Sequence, residues 1–238
     1  MAIQMTGVTN RHLYTTSTNF LASTDPYSIS VWINAIWNGG TRLSYVGMYN
    51  GDLVGGTTTG LQIGTSTGAG EVTCWTYGGA PMVESAAGAM TPFNNTWVMI
   101  TYTYDGTNHR VYRNEVLLNT DTVAQNPGTF TQIYINGYPP TGTTNETSTY
   151  QIDSYNYYGR TLTQPEIQTI YESRGNRHAI TYTQIAAYDF DELAQGSTVT
   201  GVIDISGNGN TMINTGAGTA ITYTYTGTVA SSNLRPVQ

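Results

Sequence analysis

Short runs in which apolar and polar side chains alternate recur along this chain between turn-forming residues, a pattern that confines it to an all-β architecture. Ser28-Ile-Ser-Val-Trp-Ile-Asn, Glu71-Val-Thr-Cys-Trp-Thr-Tyr, Trp97-Val-Met-Ile-Thr-Tyr-Thr-Tyr, Arg110-Val-Tyr-Arg and Gln132-Ile-Tyr-Ile-Asn each turn every second side chain to one face, as a half-buried strand does. Asp105-Gly106 stands between two of them and tolerates the positive φ of a tight hairpin turn, so residues 97–118 read as a β-meander. One segment reads as a helix. Thr163 is its N-cap, Glu166 the capping-box partner, Leu162 and Ile167 a hydrophobic staple, and Pro165 fits the first turn. Ile167, Ile170 and Tyr171 give it one apolar stripe and Gly175 a C-cap, which predicts about three turns lying as a lid on a sandwich.

Composition agrees with that reading. Threonine is about one residue in six, and 19 Tyr stand against 4 Phe, so most rings carry a hydroxyl that needs water or a partner. Only 10% of the 238 residues are charged, all eight cationic residues are arginines, and the net charge is -7. A phosphate-tracking protein needs a basic stripe, so nucleic acid is excluded as a partner. Cys74 is the single cysteine, which rules out an intrachain disulfide and a cysteine-built zinc site and leaves the fold to its core. Residues 1–6 show no basic segment leading into an apolar run, and no stretch approaches the ~20 apolar residues of a membrane helix. Synthesis in the cytosol without membrane insertion is expected. The lysine-free, Thr- and Gly-rich composition is that of adhesins and virion proteins. A phage structural protein, made in the host cytoplasm and released by lysis, reconciles the two.

The order of these motifs resembles the laminin-G-like, concanavalin A-like domain. The strand Ser28-Ile-Ser-Val-Trp-Ile, the Trp97-to-Gly106 hairpin, Arg110-Val-Tyr-Arg-Asn-Glu, Ile133-Tyr-Ile-Asn-Gly and Ile152-Asp-Ser-Tyr-Asn-Tyr-Tyr-Gly-Arg-Thr-Leu-Thr-Gln-Pro-Glu-Ile carry the resemblance, over most of residues 10–175. It implies a two-sheet antiparallel jelly-roll sandwich with one short helix. Tyr188-Asp-Phe-Asp-Glu and Asp204-Ile-Ser-Gly-Asn-Gly-Asn look like the start of the same family yet come last, either as permuted first strands or as a truncated second copy. On the permuted reading, residues 1–218 form one jelly roll, with 181–218 supplying its first strands, and 219–238 form a strand or arm.

Glucanases of this fold set paired carboxylates on one strand, in a pattern like E-x-D-x-E. The chain has no such run; in Asp189-Phe-Asp-Glu, Asp189 and Asp191 share a face that Glu192 does not, and no catalytic residue is assigned. His12, His109 and His178 are scattered and read as surface or strand-end residues, and Cys74 as a small buried hydrophobe. The resemblance implies a calcium ion held by Asp153, Asp189 or Asp191, and Asp204; the competing reading is that these acids cap turns. Trp37, Tyr49 and Tyr138 sit beside Gly, Asn or Pro and, with Asp52, could line an exposed glycan trough, whereas Trp32 and Trp97 read as core.

These features rank first a non-catalytic virion surface protein: a homo-oligomeric capsid decoration, head-fibre or tail-associated component. Its partners would be capsid or tail structural proteins and host-surface glycans. A carbohydrate-binding lectin or adhesin domain is the alternative, and a glycoside hydrolase or lyase of the same fold stands third.

Overall fold

In the computed structural model, residues 3–5, 12–17, 20, 24–37, 43–50, 60–76, 81–122, 129–135, 150–173, 179–190 and 198–215 are described. In chain order they form β1 (Ile3–Met5), β2 (His12–Thr16), β3 (Tyr27–Ala35), β4 (Leu43–Tyr49), β5 (Gly60–Thr65), β6 (Thr73–Thr76), β7 (Pro81–Glu84), β8 (Thr96–Tyr104), β9 (His109–Arg113), β10 (Val116–Asp121), β11 (Gln132–Ile135) and β12 (Tyr150–Tyr158). The helix α1 (Gln164–Glu172) follows, then β13 (Gln184–Tyr188), β14 (Gly201–Val202) and β15 (Met212–Thr215). The pairing is antiparallel and makes two sheets, a lectin-like sandwich. The first runs β1-β12-β3-β8-β9-β10; the second runs β14-β15-β2-β11-β4-β5-β6-β7. β13 also joins the first sheet: β1 pairs residues 150–152 of β12 and β13 pairs residues 155–158, end to end along one edge.

The core lies between the sheets, and strand parity builds it. β3 points Tyr27, Ile29, Val31, Ile33 and Ala35 inward, where they meet Leu13, Val46, Met48, Ile63, Ile133 and Ile135 of the second sheet. Each Val, Leu, Ile or Met side chain among them contributes about 1.5–3 kcal/mol by leaving water. β12 keeps parity only by a bulge: Ile152 opposes Ile33 and Ser154 opposes Trp32, leaving Asp153 as the extra residue. The bulge puts Tyr155 and Tyr157 inside along with Tyr150 and Ile152.

The buried phenols of Tyr150 and Tyr45 find acceptors across the sandwich. Tyr150 donates to the Tyr45 carbonyl at 2.7 Å, and Tyr45 to the Ile36 carbonyl at 3.0 Å. His109 begins β9, as a strand-end residue would, but it is buried and not on the surface. Its Nδ1 lies 2.6 Å from the Tyr102 hydroxyl and its ring stacks on Tyr104. Cys74 is buried in the core, and burial pushes its thiol well above the ordinary range, as an unreactive hydrophobe requires.

The Asp105–Gly106 turn joins β8 and β9: Gly106 has φ +94°, and Asp105 Oδ1 accepts the backbone N–H groups of Thr107 (3.0 Å) and Asn108 (2.7 Å). On the outer face of the first sheet, Leu162, Ile167 and Ile170 of the helix segment cover Trp32, Met99, Tyr112 and Tyr158, with Tyr171 stacked on Trp32 at 5.8 Å. The capping box is present; Glu166 accepts the Thr163 N–H at 2.8 Å and is gripped by Arg160 at 2.6 and 2.8 Å. Here the C-cap expected at Gly175 is corrected. The helix stops at Ser173, whose N–H reaches the Thr169 carbonyl at 3.0 Å, and Gly175 lies outside the described residues. The segment after the helix contributes to both sheets, β13 beside β12 and β15 beside β2, while residues 219–238 lie outside the described set.

Candidate functional site

A cleft of about 450 Å³ opens where the end of β2, the start of β11 and the turn after β14 converge, lined by Thr16, Ser17, Thr131, Gln132, Asn208, Gly209 and Asn210. One wall belongs to the second sheet. Gln132 pairs with Thr16 across the β11–β2 ladder, and the Ser17 N–H donates to the Thr131 carbonyl at 2.8 Å.

The other wall is a turn held by one carboxylate. Asp204 Oδ1 accepts the N–H groups of Ala187 (3.0 Å) and Ser206 (2.9 Å), and Oδ2 accepts that of Asn210 (2.9 Å). Gly207 (φ +86°) and Gly209 (φ +76°) take left-handed conformations that a side chain would strain. Asn208 Nδ2 donates to the carbonyls of Gln184 (2.9 Å) and Ile185 (3.1 Å), and Asn210 Nδ2 to that of Ile185 (2.7 Å). The turn thereby covers carbonyls of β13 that would otherwise form an open sheet edge. Burial, and then the nearby Asp204, push the Tyr188 phenol well above its ordinary range, so it stays protonated and donates to the Asn210 carbonyl.

These bonds sort what remains for a ligand. Gln132 Oε1 accepts the Tyr134 hydroxyl at 3.2 Å, which leaves the Nε2 hydrogens as donors. The amide nitrogens of Asn208 and Asn210 are engaged, which leaves their carbonyl oxygens as acceptors. Beside the cleft, a row of outward residues crosses the sheet in register: Ile213, Tyr14, Tyr134, Gly47, Gln62 and Trp75. Tyr14, partly exposed, stacks on buried Tyr134 at 5.5 Å. Among the described residues the lining holds no carboxylate, imidazole, thiol or cation, and the groups present are hydrogen-bond donors and acceptors.

The expected trough of exposed rings is corrected. Trp37 is fully buried, because the inward parity of β3 runs on past Ala35: its ring meets Tyr45 edge-on at 5.2 Å and its backbone N–H donates to Asn94 Oδ1 at 2.6 Å. Tyr49 faces outward but is buried as well, its ring lying over Gly47 and Gly60, its edge against Tyr134, and its hydroxyl accepting Gln62 Nε2 at 2.7 Å. Asp52 and Tyr138 lie outside the described residues. The expected calcium set is described only in part. Among the described residues no three His, Cys, Asp or Glu side chains come close enough to share a metal ion. Asp153 is the buried bulge residue of β12, Asp189 follows β13, Asp204 is the turn's acceptor, and Asp191 lies outside the described residues. Asn208 to Asn210 had been legible as a turn but not as a wall; Thr16 and Gln132 carry no local signal of their meeting.

A laminin-G-type model of the concanavalin A-like lectin/glucanases superfamily matches residues 7–168. No curated protein matches the chain. Among solved structures, a protein of Bacteroides ovatus proposed to bind carbohydrate is 11% identical, with TM-score 0.60 over 93% of this chain and 62% of that one. The receptor-binding domain of botulinum neurotoxin D is 11% identical, with TM-score 0.54 over 73% of this chain and 44% of that one. A botulinum serotype D ligand-binding domain in complex with N-acetylneuraminic acid is 12% identical, with TM-score 0.55 over 72% of this chain and 42% of that one. This chain thus spans less than half of the toxin domains, and these likenesses speak to the fold alone.

Proposed function

Because the chain belongs to the concanavalin A-like lectin/glucanases superfamily, we propose that it is a non-catalytic module that binds a glycan in the cleft between β2, β11 and the 206–210 turn. The observation that carries this reading is the sorted set of polar groups. A sugar offers hydroxyls that both donate and accept, and apolar C–H faces. Gln132 Nε2 donates, the side-chain carbonyls of Asn208 and Asn210 accept, the Thr16 hydroxyl does both, and Tyr14 supplies a ring alongside. The carbohydrate assignment of the Bacteroides protein supports the reading at the level of fold.

The experiment is a glycan array on the full chain with and without calcium, followed by calorimetry on the best hit with Gln132→Ala. A hit weakened at least tenfold by Gln132→Ala, with an unchanged circular dichroism spectrum, is expected. Unchanged affinity would move the ligand out of this cleft, and a blank array would remove the reading.

A second reading places the same module on a virion surface, in contact with capsid or tail proteins and with other copies of itself. The composition supports it, as do Ile203 (58% exposed) and Ile205 (44% exposed) beside the β14 end of the second sheet, apolar side chains suited to a protein neighbour. Stoichiometric presence in purified particles by mass spectrometry, with a blank array, would favour it over the first.

A further inference from the structure

Resting on the glycan reading of the cleft, we infer that it takes uncharged glycans and rejects anionic ones, the sialylated, sulfated and uronic-acid-containing chains. An anionic sugar gives up water around its charge and needs a cation, or converging N–H donors, in exchange. Among the described residues the lining contains no cation. The arginines among the described residues are committed elsewhere. Arg110 holds Asp105 at 2.7 Å; Arg113 lies 4.1 Å over the Phe93 ring and donates to the Ala89 carbonyl at 2.9 Å; Arg160 grips Glu166 and covers the Tyr182 ring at 4.5 Å.

Backbone donors of the turn are spent within it. The N–H groups of Ser206 and Asn210 donate to the Asp204 carboxylate at 2.9 Å each and that of Asn208 to the Ser206 hydroxyl at 3.3 Å, so the cleft wall offers the side-chain oxygens of Asn208 and Asn210 with an acid behind them. Both repel a second anion, and the net charge of -7 adds a long-range repulsion that salt screens. An uncharged sugar meets none of this and keeps every hydrogen bond that the Gln132, Asn208 and Asn210 side chains offer.

The test is an array of oligosaccharide pairs identical but for one acidic sugar or sulfate, followed by calorimetry on the strongest pair at about 20 and 500 mM NaCl. The neutral member is expected to bind at least tenfold more tightly, about 1.4 kcal/mol, with a gap that narrows as salt rises. Equal or tighter binding of the anionic member overturns the selection and leaves glycan binding standing. Binding to no member overturns the glycan reading itself. Thr16→Arg adds a cation at an exposed lining position and is expected to close the gap at least tenfold; an unmoved gap in this folded variant would also overturn the inference.

Discussion

Asp204 accepts the backbone N–H of Ala187 across 17 residues of chain at 3.0 Å, and through it a turn of the second sheet is fastened to a strand of the first. The same side chain receives the N–H groups of Ser206 and Asn210, so the cleft wall and the cover of the β13 edge depend on one carboxyl. Fold and site are coupled there.

Asp204→Ala leaves three N–H groups without their acceptor in a buried place and is expected to lower stability by about 2–4 kcal/mol. Asp204→Asn keeps one acceptor oxygen and should lose less. Urea denaturation of both variants checks the order. In the stability-matched folded fraction, glycan affinity should fall with Asp204→Asn as well, because the turn is the binding wall.

Glu71 is a second buried acid serving its own loop, its Oε1 accepting the N–H groups of Ser66 (2.9 Å), Thr67 (2.8 Å) and Gly68 (3.1 Å). Burial pushes its carboxyl up, but these N–H donors outweigh burial and hold it below the ordinary carboxylate range. A lowered folded value means that the ionised form adds stability above the pH where an unfolded glutamate titrates. That share is lost as pH falls through the folded value. Urea midpoints should decline below about pH 4.5, and Glu71→Gln should be less stable at pH 7 by about 1–3 kcal/mol, with a shallower acid decline. Asp105 and Glu166, also held low, supply the acid sensitivity that remains. An equally steep decline in Glu71→Gln would show that its carboxyl is not held by the loop.

Features written in neighbouring residues are legible in the sequence alone. Thr163 and Glu166 mark the helix start, and Asp105–Gly106 marks the hairpin, because a cap and a turn are completed within a few residues. The cleft is not, because Thr16 meets Gln132 only through a ladder between strands far apart in the chain. Trp37 lay between these cases. Its flanking Asn38-Gly-Gly suggested a loop, yet its parity with Tyr27, Ile29, Val31, Ile33 and Ala35 already placed it inside. The bulge at Asp153 shows the opposite failure: strict alternation would turn Tyr155 and Tyr157 outward, and one extra residue reverses them.

Trp37 is thus a core residue, and its removal should cost stability, not recognition. Trp37→Ala is expected to lose about 3–5 kcal/mol in denaturant titration. Glycan affinity per folded molecule should be unchanged. A large affinity loss in a stably folded Trp37 variant would restore it to the binding surface.

On the outer face of the second sheet, glycine makes room for an aromatic ring. A Cβ added at Gly47 would lie 2.5 to 2.7 Å from two ring atoms and the hydroxyl of Tyr49, whose buried ring cannot swing aside. Gly47→Ala is therefore expected to destabilise by about 1–3 kcal/mol through overpacking. If the ring is the cause, the same change should cost under about 0.5 kcal/mol once Tyr49→Ala has removed the ring, a non-additivity that a double-mutant cycle reads directly. Gly64 offers the contrast. A Cβ there would meet the Leu43 carbonyl oxygen at 1.8 Å, and because backbone cannot be trimmed away, no second substitution should rescue Gly64→Ala. Equal costs for Gly47→Ala in both backgrounds would place its constraint in the strand as well, and remove the ring as the reason for glycine at that position.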